Sequence, residues 1–243
     1  MHKRRLITII IIMFLWQIAA LVINNDILMP MPYVVGVKML NDIVMPSFYL
    51  ALYTTIIRLL IGLLVAIIAA ICLGLLSGLK PAFAEYFSVI DDIIKTIPNI
   101  SYIIIILIWL NAEQSVTVIT FFIIFPNLYA NVLLGVKSLP RELKDVLYIY
   151  PLSLTQKIFK VYIPQVLPYL LTGVKVAFGL GLKVSVMAEI LTQVRFGIGK
   201  QLLFARNTLD MTAIFAWTIW IIIISLIIDQ LFELVLSKTK NSR

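Results

Sequence analysis

Hydrophobic positions along the chain fall into long runs separated by short polar stretches. A helix that crosses a bilayer needs roughly 20 mostly apolar residues. The runs predict helices over 6–23, 50–76, 87–110, 116–134, 166–191 and 211–236. Trp217 and Trp220 are placed to anchor the last of these at a membrane interface. The 24–49 stretch, with Met29-Pro30-Met31-Pro32, reads as a short interfacial or re-entrant segment. The pattern predicts an all-α membrane protein with about six transmembrane helices, residues 1–243 forming one transmembrane domain.

One stretch, 135–165, lies between the fourth and fifth runs and has a different period. Thirty residues of unstructured loop would be unusual. Pro140 suits a first helical turn, Ser138 is placed as a cap, and Glu142 suits the positive end of a helix. Leu143, Leu147 and Tyr150 recur at helical spacing; Leu154, Ile158 and Phe159 repeat the pattern after a break at Pro151. Two short amphipathic helices with a bend are predicted. Their apolar faces suit either the membrane surface or a groove on a soluble partner.

Composition excludes several classes. The chain is 62% hydrophobic and 13% charged, with a mean hydropathy of +1.05, against about 45–50% and about 25% in a soluble domain. One cysteine, Cys72, allows no internal disulfide, and one histidine, His2, leaves no histidine-based metal motif. The nearest string to a phosphate-binding loop, Gly197-Ile198-Gly199-Lys200-Gln201, lacks the Ser/Thr and the upstream glycine. No cofactor is expected on this chain; if nucleotide energy is used, another chain binds the nucleotide.

The net charge of +8 follows topology, not nucleic acid. With both termini inside, residues 1–5, 77–86, 135–165 and 237–243 carry twelve Lys and Arg, against four on the opposite side (Lys38, Arg195, Lys200 and Arg206). The run after His2-Lys3-Arg4-Arg5 is long and no small-residue cleavage site follows, so it is expected to be a retained first helix.

Two stripes of small residues stand out: Gly62, Ala66, Ala70, Gly74 and Gly78 in the second run, and Gly173, Ala177, Gly181 and Ser185 in the fifth. Such stripes let helices approach closely, either within one bundle or at a subunit or moving interface. Glu189 continues the second stripe. A carboxylate there faces protein or a water-filled path, unless it lies at the helix end among headgroups. Gly181, Ser185, Glu189 and Lys183 are therefore candidates for a solute path or for packing. Lys183 is about 240° around the helix from Glu189 and cannot pair with it. Arg58 and Lys95 are expected to snorkel or pair structurally. Asp91-Asp92 are expected to mark the start of an interfacial helix.

The 135–165 stretch resembles the EAA loop of binding-protein-dependent ABC importer permeases. The family pattern is E-A-A, three residues, Gly, nine residues, then I-x-L-P. Here the register falls on Asp145-Val146-Leu147, Pro151 and Val161-x-Ile163-Pro164. Spacing is kept while residue types depart: Asp for Glu, Val-Leu for Ala-Ala, Pro for Gly. Gly135 to Pro140 resembles the family's lead-in. Arg58 with 59–78, Lys95-Thr96-Ile97-Pro98, 170–177, Met187-Ala188-Glu189-Ile190-Leu191, Gly197-Ile198-Gly199, and Asp229 with Glu233 also resemble the nitrate/sulfonate/taurine branch, in order.

The resemblance implies a non-catalytic permease subunit in an inner, cytoplasmic membrane. It implies a second permease copy or a related one, a cytoplasmic ABC ATPase dimer that uses ATP, and an external substrate-binding protein. It assigns ATPase coupling to Leu143, Asp145, Val146, Leu147, Tyr150, Pro151, Leu154 and Ile158. The substrate class it suggests is a small anionic or vitamin-like solute. The rival reading is a membrane scaffold with no solute path of its own.

Overall fold

Prolines set several of the helix starts. A proline at the first helical position loses no hydrogen bond, because that N–H has no partner in the helix. A computed structural model describes residues 2–150 and 152–241; Met1, Pro151, Ser242 and Arg243, and so Pro151's coupling assignment and the ends of the termini, lie outside them. α1 (His2–Ile23) is followed by α2 (Pro32–Val44), α3 (Pro46–Leu79) and α4 (Pro81–Thr96), the last three beginning on proline. Then come α5 (Asn99–Trp109), α6 (Ala112–Lys137), α7 (Arg141–Ile149) and α8 (Leu154–Lys157). A π-helical segment (Ile158–Tyr162) leads into α9 (Ile163–Thr192), followed by α10 (Ile198–Asn207) and α11 (Met211–Asn241).

Three helices are long and apolar enough to cross a membrane among the described residues: Pro46–Leu79, Ala112–Lys137 and Met211–Leu234. The bent pair α4–α5 makes a fourth if counted as one span. The apolar part of α1, Ile7–Ile23, is shorter. α9 is 30 residues long but carries Lys175, Lys183 and Glu189. Large apolar side chains cover much of the surface, including Leu64 and Ile68 on α3 and Leu226 and Ile227 on α11. In water such a surface would associate; in a bilayer it meets lipid tails. The chain is a helical, multi-pass membrane protein.

The core is a three-helix unit of α3, α6 and α9. The α3 stripe lies on α6: a Cβ on Gly62 would sit 2.9 Å from the Thr117 carbonyl oxygen, and one on Gly74 would sit 2.6 Å from Val132 Cγ1. A Cβ on Gly78 would overlap Val136 Cγ1. Positions 62, 74 and 78 thus climb α3 in step with 117, 132 and 136 on α6, so the two helices run parallel. α9 runs the other way, with Gly173 on Asn131 and Gly181 on Leu59 and Ile124. Both stripes therefore serve packing inside this chain. Leu59, Ile124, Leu128, Val132 and Ala177 are fully buried between the three helices. Gly78→Leu is expected to destabilise the protein by about 1–3 kcal/mol, since Val136 has no room to give. A thermal melt in detergent checks this, and an unchanged midpoint would contradict the close approach.

Two expectations are corrected, and two further segments gain packing partners. The third predicted span, 87–110, is not one helix: α4 and α5 meet at a 94° bend. Pro98 lacks an N–H and forces Ile97 out of helical backbone, to φ −65° and ψ 128°. Asp91 and Asp92 lie deep inside α4 and not at its start, and Asp91 accepts from Lys95 one turn on, at 2.5 Å. The 24–49 stretch contains a 13-residue helix, α2, which packs on α11. Trp217 is buried and stacks on Phe48 at 5.4 Å, with Trp220 4.9 Å from the same ring, so both rings pack within this chain.

Candidate functional site

Two regions at opposite ends of the three-helix unit hold the polar chemistry. At the end where α9 finishes, Glu189 is fully buried. Thr55 of α3 donates to it at 2.9 Å, and Arg58, one turn further along α3, donates from Nη1 at 2.5 Å. The Gly199 backbone N–H donates to Oε2 at 2.8 Å. The carboxylate therefore has donors from α3 and from the start of α10. Arg58 is shared: its Nη2 reaches Glu113 in the first turn of α6 and the Phe196 carbonyl at 2.8 Å. Thr55 Oγ1 in turn accepts from the Ile198 N–H at 2.9 Å. Below this, Thr120 of α6 and Ser185 of α9 share a hydrogen bond of 2.9 Å.

The glycines of Gly197-Ile198-Gly199 explain how α10 comes so close. Gly197 has φ 150°, a region that L residues rarely adopt, and a Cβ there would sit 2.5 Å from Glu189 Oε2. A Cβ on Gly199 would sit 2.5 Å from Glu189 Cβ and 2.6 Å from the Val186 carbonyl oxygen. The α9–α10 connection is thus pressed onto the buried carboxylate. The cluster ties α3, α6, α9 and α10 into one unit.

Gly181, Ser185 and Glu189 are buried, in contact with other helices of this chain. Lys183 is exposed on another face. Sequence reasoning placed Glu189 inward but missed its partner. Arg58 is 131 residues away in the chain, and its only signal was its position one helical turn before the α3 stripe.

At the other end, α6 and α9 are joined by the predicted amphipathic pair. Ser138 does not cap α7: its hydroxyl donates to the Gly135 carbonyl at 2.9 Å, and Pro140 occupies the cap position. α8 is capped by Ser153 and Gln156, each bonding the other's backbone N–H at 3.3 Å. Gln165 at the start of α9 donates to the Ser138 hydroxyl at 3.2 Å, bracing the base of the loop.

The faces of α7 differ from expectation. Leu147, predicted to be part of the coupling surface, is 8% exposed and covered by this chain. Leu143, one turn before it, is 37% exposed. Asp145 and Ile149 lie on the opposite side of the helix, both exposed, with Val146 and Tyr148 flanking them. Tyr148 is 90% exposed. Tyr150 and Leu154 are also exposed, and Ile158 is partly buried. The predicted apolar row instead runs along the side that Leu147 anchors. Hydrophobic periodicity located the helix but did not show which apolar side chains its own chain would cover.

The fold is a helical, multi-pass body with a short amphipathic helix between two of its long helices. The family model for binding-protein-dependent transport system inner membrane components matches residues 62–241, and the chain belongs to that family. It is similar to the nitrate import permease protein NrtB of Leptolyngbya laminosa, at 28% identity over 148 residues, 60% of this chain and 52% of that protein. The bicarbonate transport system permease protein CmpB of Synechocystis is 30% identical over 122 residues, 49% of this chain and 43% of its own length. The putative aliphatic sulfonates transport permease protein SsuC of Bacillus subtilis is 25% identical over 154 residues, 61% of this chain and 55% of its own length. The chain spans about half the length of the curated relatives it matches.

Proposed function

We propose that this chain is the permease subunit of an ATP-driven importer and that α7 is the element through which a separate ATPase moves it. The observation that carries the reading is the exposed face of α7, where Val146, Tyr148 and Ile149 flank Asp145 in a chain whose family couples to a separate energy source. Such a face is costly in water and inexpensive once seated in a groove. Leu147, covered from within, holds the helix to its own chain, so a push on the outer face is passed to α6 and α9. ATP is bound and hydrolysed by the partner; this chain holds no cofactor. The 135–165 loop and both termini face the cytoplasm, as the twelve-to-four distribution of Lys and Arg favours. Residues 1–243 act as one transmembrane domain, paired with a second copy or a related permease, and an external binding protein delivers solute.

The named relatives carry nitrate, bicarbonate and sulfonates. These are anions, while another relative is a glycine betaine/proline betaine permease protein, so the class assigned here is a small anionic or vitamin-like solute, with an anion favoured. Tagging the chain, solubilising its native membrane gently and identifying what copurifies tests the core of the reading. An ATPase at stoichiometric yield is the expected result. Recovery of the chain alone, even after mild crosslinking, would overturn it in favour of a membrane scaffold.

A further inference from the structure

A polar groove runs between α9 and α11, on a face that neither the Glu189 cluster nor α7 uses. α9 contributes Lys175, Gly179 and Lys183, each four residues apart; α11 contributes Ser225 and Asp229. Lys175 fixes the register, since its Nζ pairs with Glu233 of α11 at 2.8 Å. The helices are antiparallel, so Lys183 lies level with Ser225, and Gly179 with Asp229. A Cβ on Gly179 would meet nothing within 4 Å, so the groove is open at its floor. Its volume is about 370 Å³.

The charges are not evenly matched along it. Lys175 is paired with Glu233 and lies in the field of Asp229. Lys183 has no carboxylate within ion-pair distance among the described residues, and the residue level with it is a hydroxyl. It lies nine residues from the Thr192 end of α9, about 13 Å of helix. An exposed lysine on a membrane-protein helix is expensive against lipid tails and tolerable against water or an anion. An open floor, a hydroxyl and an ammonium that no carboxylate contacts directly, Asp229 lying one turn away, together make a place for a small anion.

We infer that the α9–α11 groove is a water-filled wall of the solute path and that Lys183, with the Ser225 hydroxyl, contacts the anion in transit. The inference rests on the permease reading and gives it a place for the solute. Cys72 is the only cysteine, so one substitution, Cys72→Ala, gives a clean background for Lys183→Cys, Ser225→Cys and Ile227→Cys. Ile227 is an exposed apolar residue on α11, about 200° from Ser225. Only a hydrated thiol ionises and reacts.

In native membranes holding the whole complex, a negatively charged, membrane-impermeant methanethiosulfonate is expected to label Lys183→Cys and Ser225→Cys. The rate should exceed that of Ile227→Cys about tenfold or more, and added nitrate should slow it. Labelling of both groove cysteines no faster than Ile227→Cys, with and without ATP, would overturn the inference, as would labelling that nitrate and sulfonate both leave unchanged. Ser225→Cys is nearly isosteric and keeps the test informative if Lys183→Cys fails to insert. Failure of the permease reading would show separately, as the absence of an ATPase from the same complex.

Discussion

Replacing Glu189 with Leu is expected to destabilise the protein by about 3 kcal/mol or more, the effect of removing one partner of a buried ion pair. The substitution leaves the Gly199 N–H and the Thr55 hydroxyl without their acceptor, and leaves Arg58, itself buried, with only the half-exposed Glu113 and the Phe196 carbonyl. The remaining partners keep the loss toward the lower end of the range. Glu189→Gln retains an acceptor for Gly199 and Thr55 and is expected to cost less, so the order Leu worse than Gln separates the lost charge from the lost hydrogen bonds. Thermal unfolding in detergent gives the numbers. A double-mutant cycle with Arg58→Met should show coupling of about 1–3 kcal/mol between the two positions. A Glu189→Leu variant within about 0.5 kcal/mol of the parent, the range of a surface change, would mean that the cluster does not hold α3, α9 and α10 together.

Charging the outer face of α7 is expected to have the opposite profile. Tyr148→Asp with Ile149→Asp removes two exposed apolar side chains that nothing in this chain covers. The melting point should not fall. Capture of the ATPase should weaken roughly 30-fold or more, the size of the loss when an interface anchor worth about 2 kcal/mol is removed. Transport should fail with it. Leu147→Asp is not a useful substitute, because it buries a charge inside this chain and loses stability first. If the doubly charged variant holds its ATPase as firmly as the parent, coupling runs through another surface and the proposed role of α7 is wrong.

The sequence showed the elements better than their partners. The apolar runs located α3, α6 and α11, and the loop's period located α7, because both signals are local. Small residues four apart pointed to close packing, and the glycine contacts show which helix each stripe meets. The bend at Pro98 was visible as a residue but was outweighed by the length of the apolar run around it. The Arg58–Glu189 pair was not legible, since nothing local links two residues in helices separated by most of the chain. Which side of α7 is covered was equally out of reach: amphipathicity names an apolar face, and only the fold shows which side chains that face covers.

A π-helical segment lies between α8 and α9. A π turn fits one more residue into a turn than an α turn does, so the extra residue is taken up locally. Removing a single residue from 158–162 would let that turn close as an ordinary α turn and leave α8 facing much as it does now. The same deletion inside the regular part of α9 would turn everything before it by about 100°. The π segment is therefore a buffer: a change of one residue there is absorbed, where elsewhere on the rod it would rotate the second half of the loop.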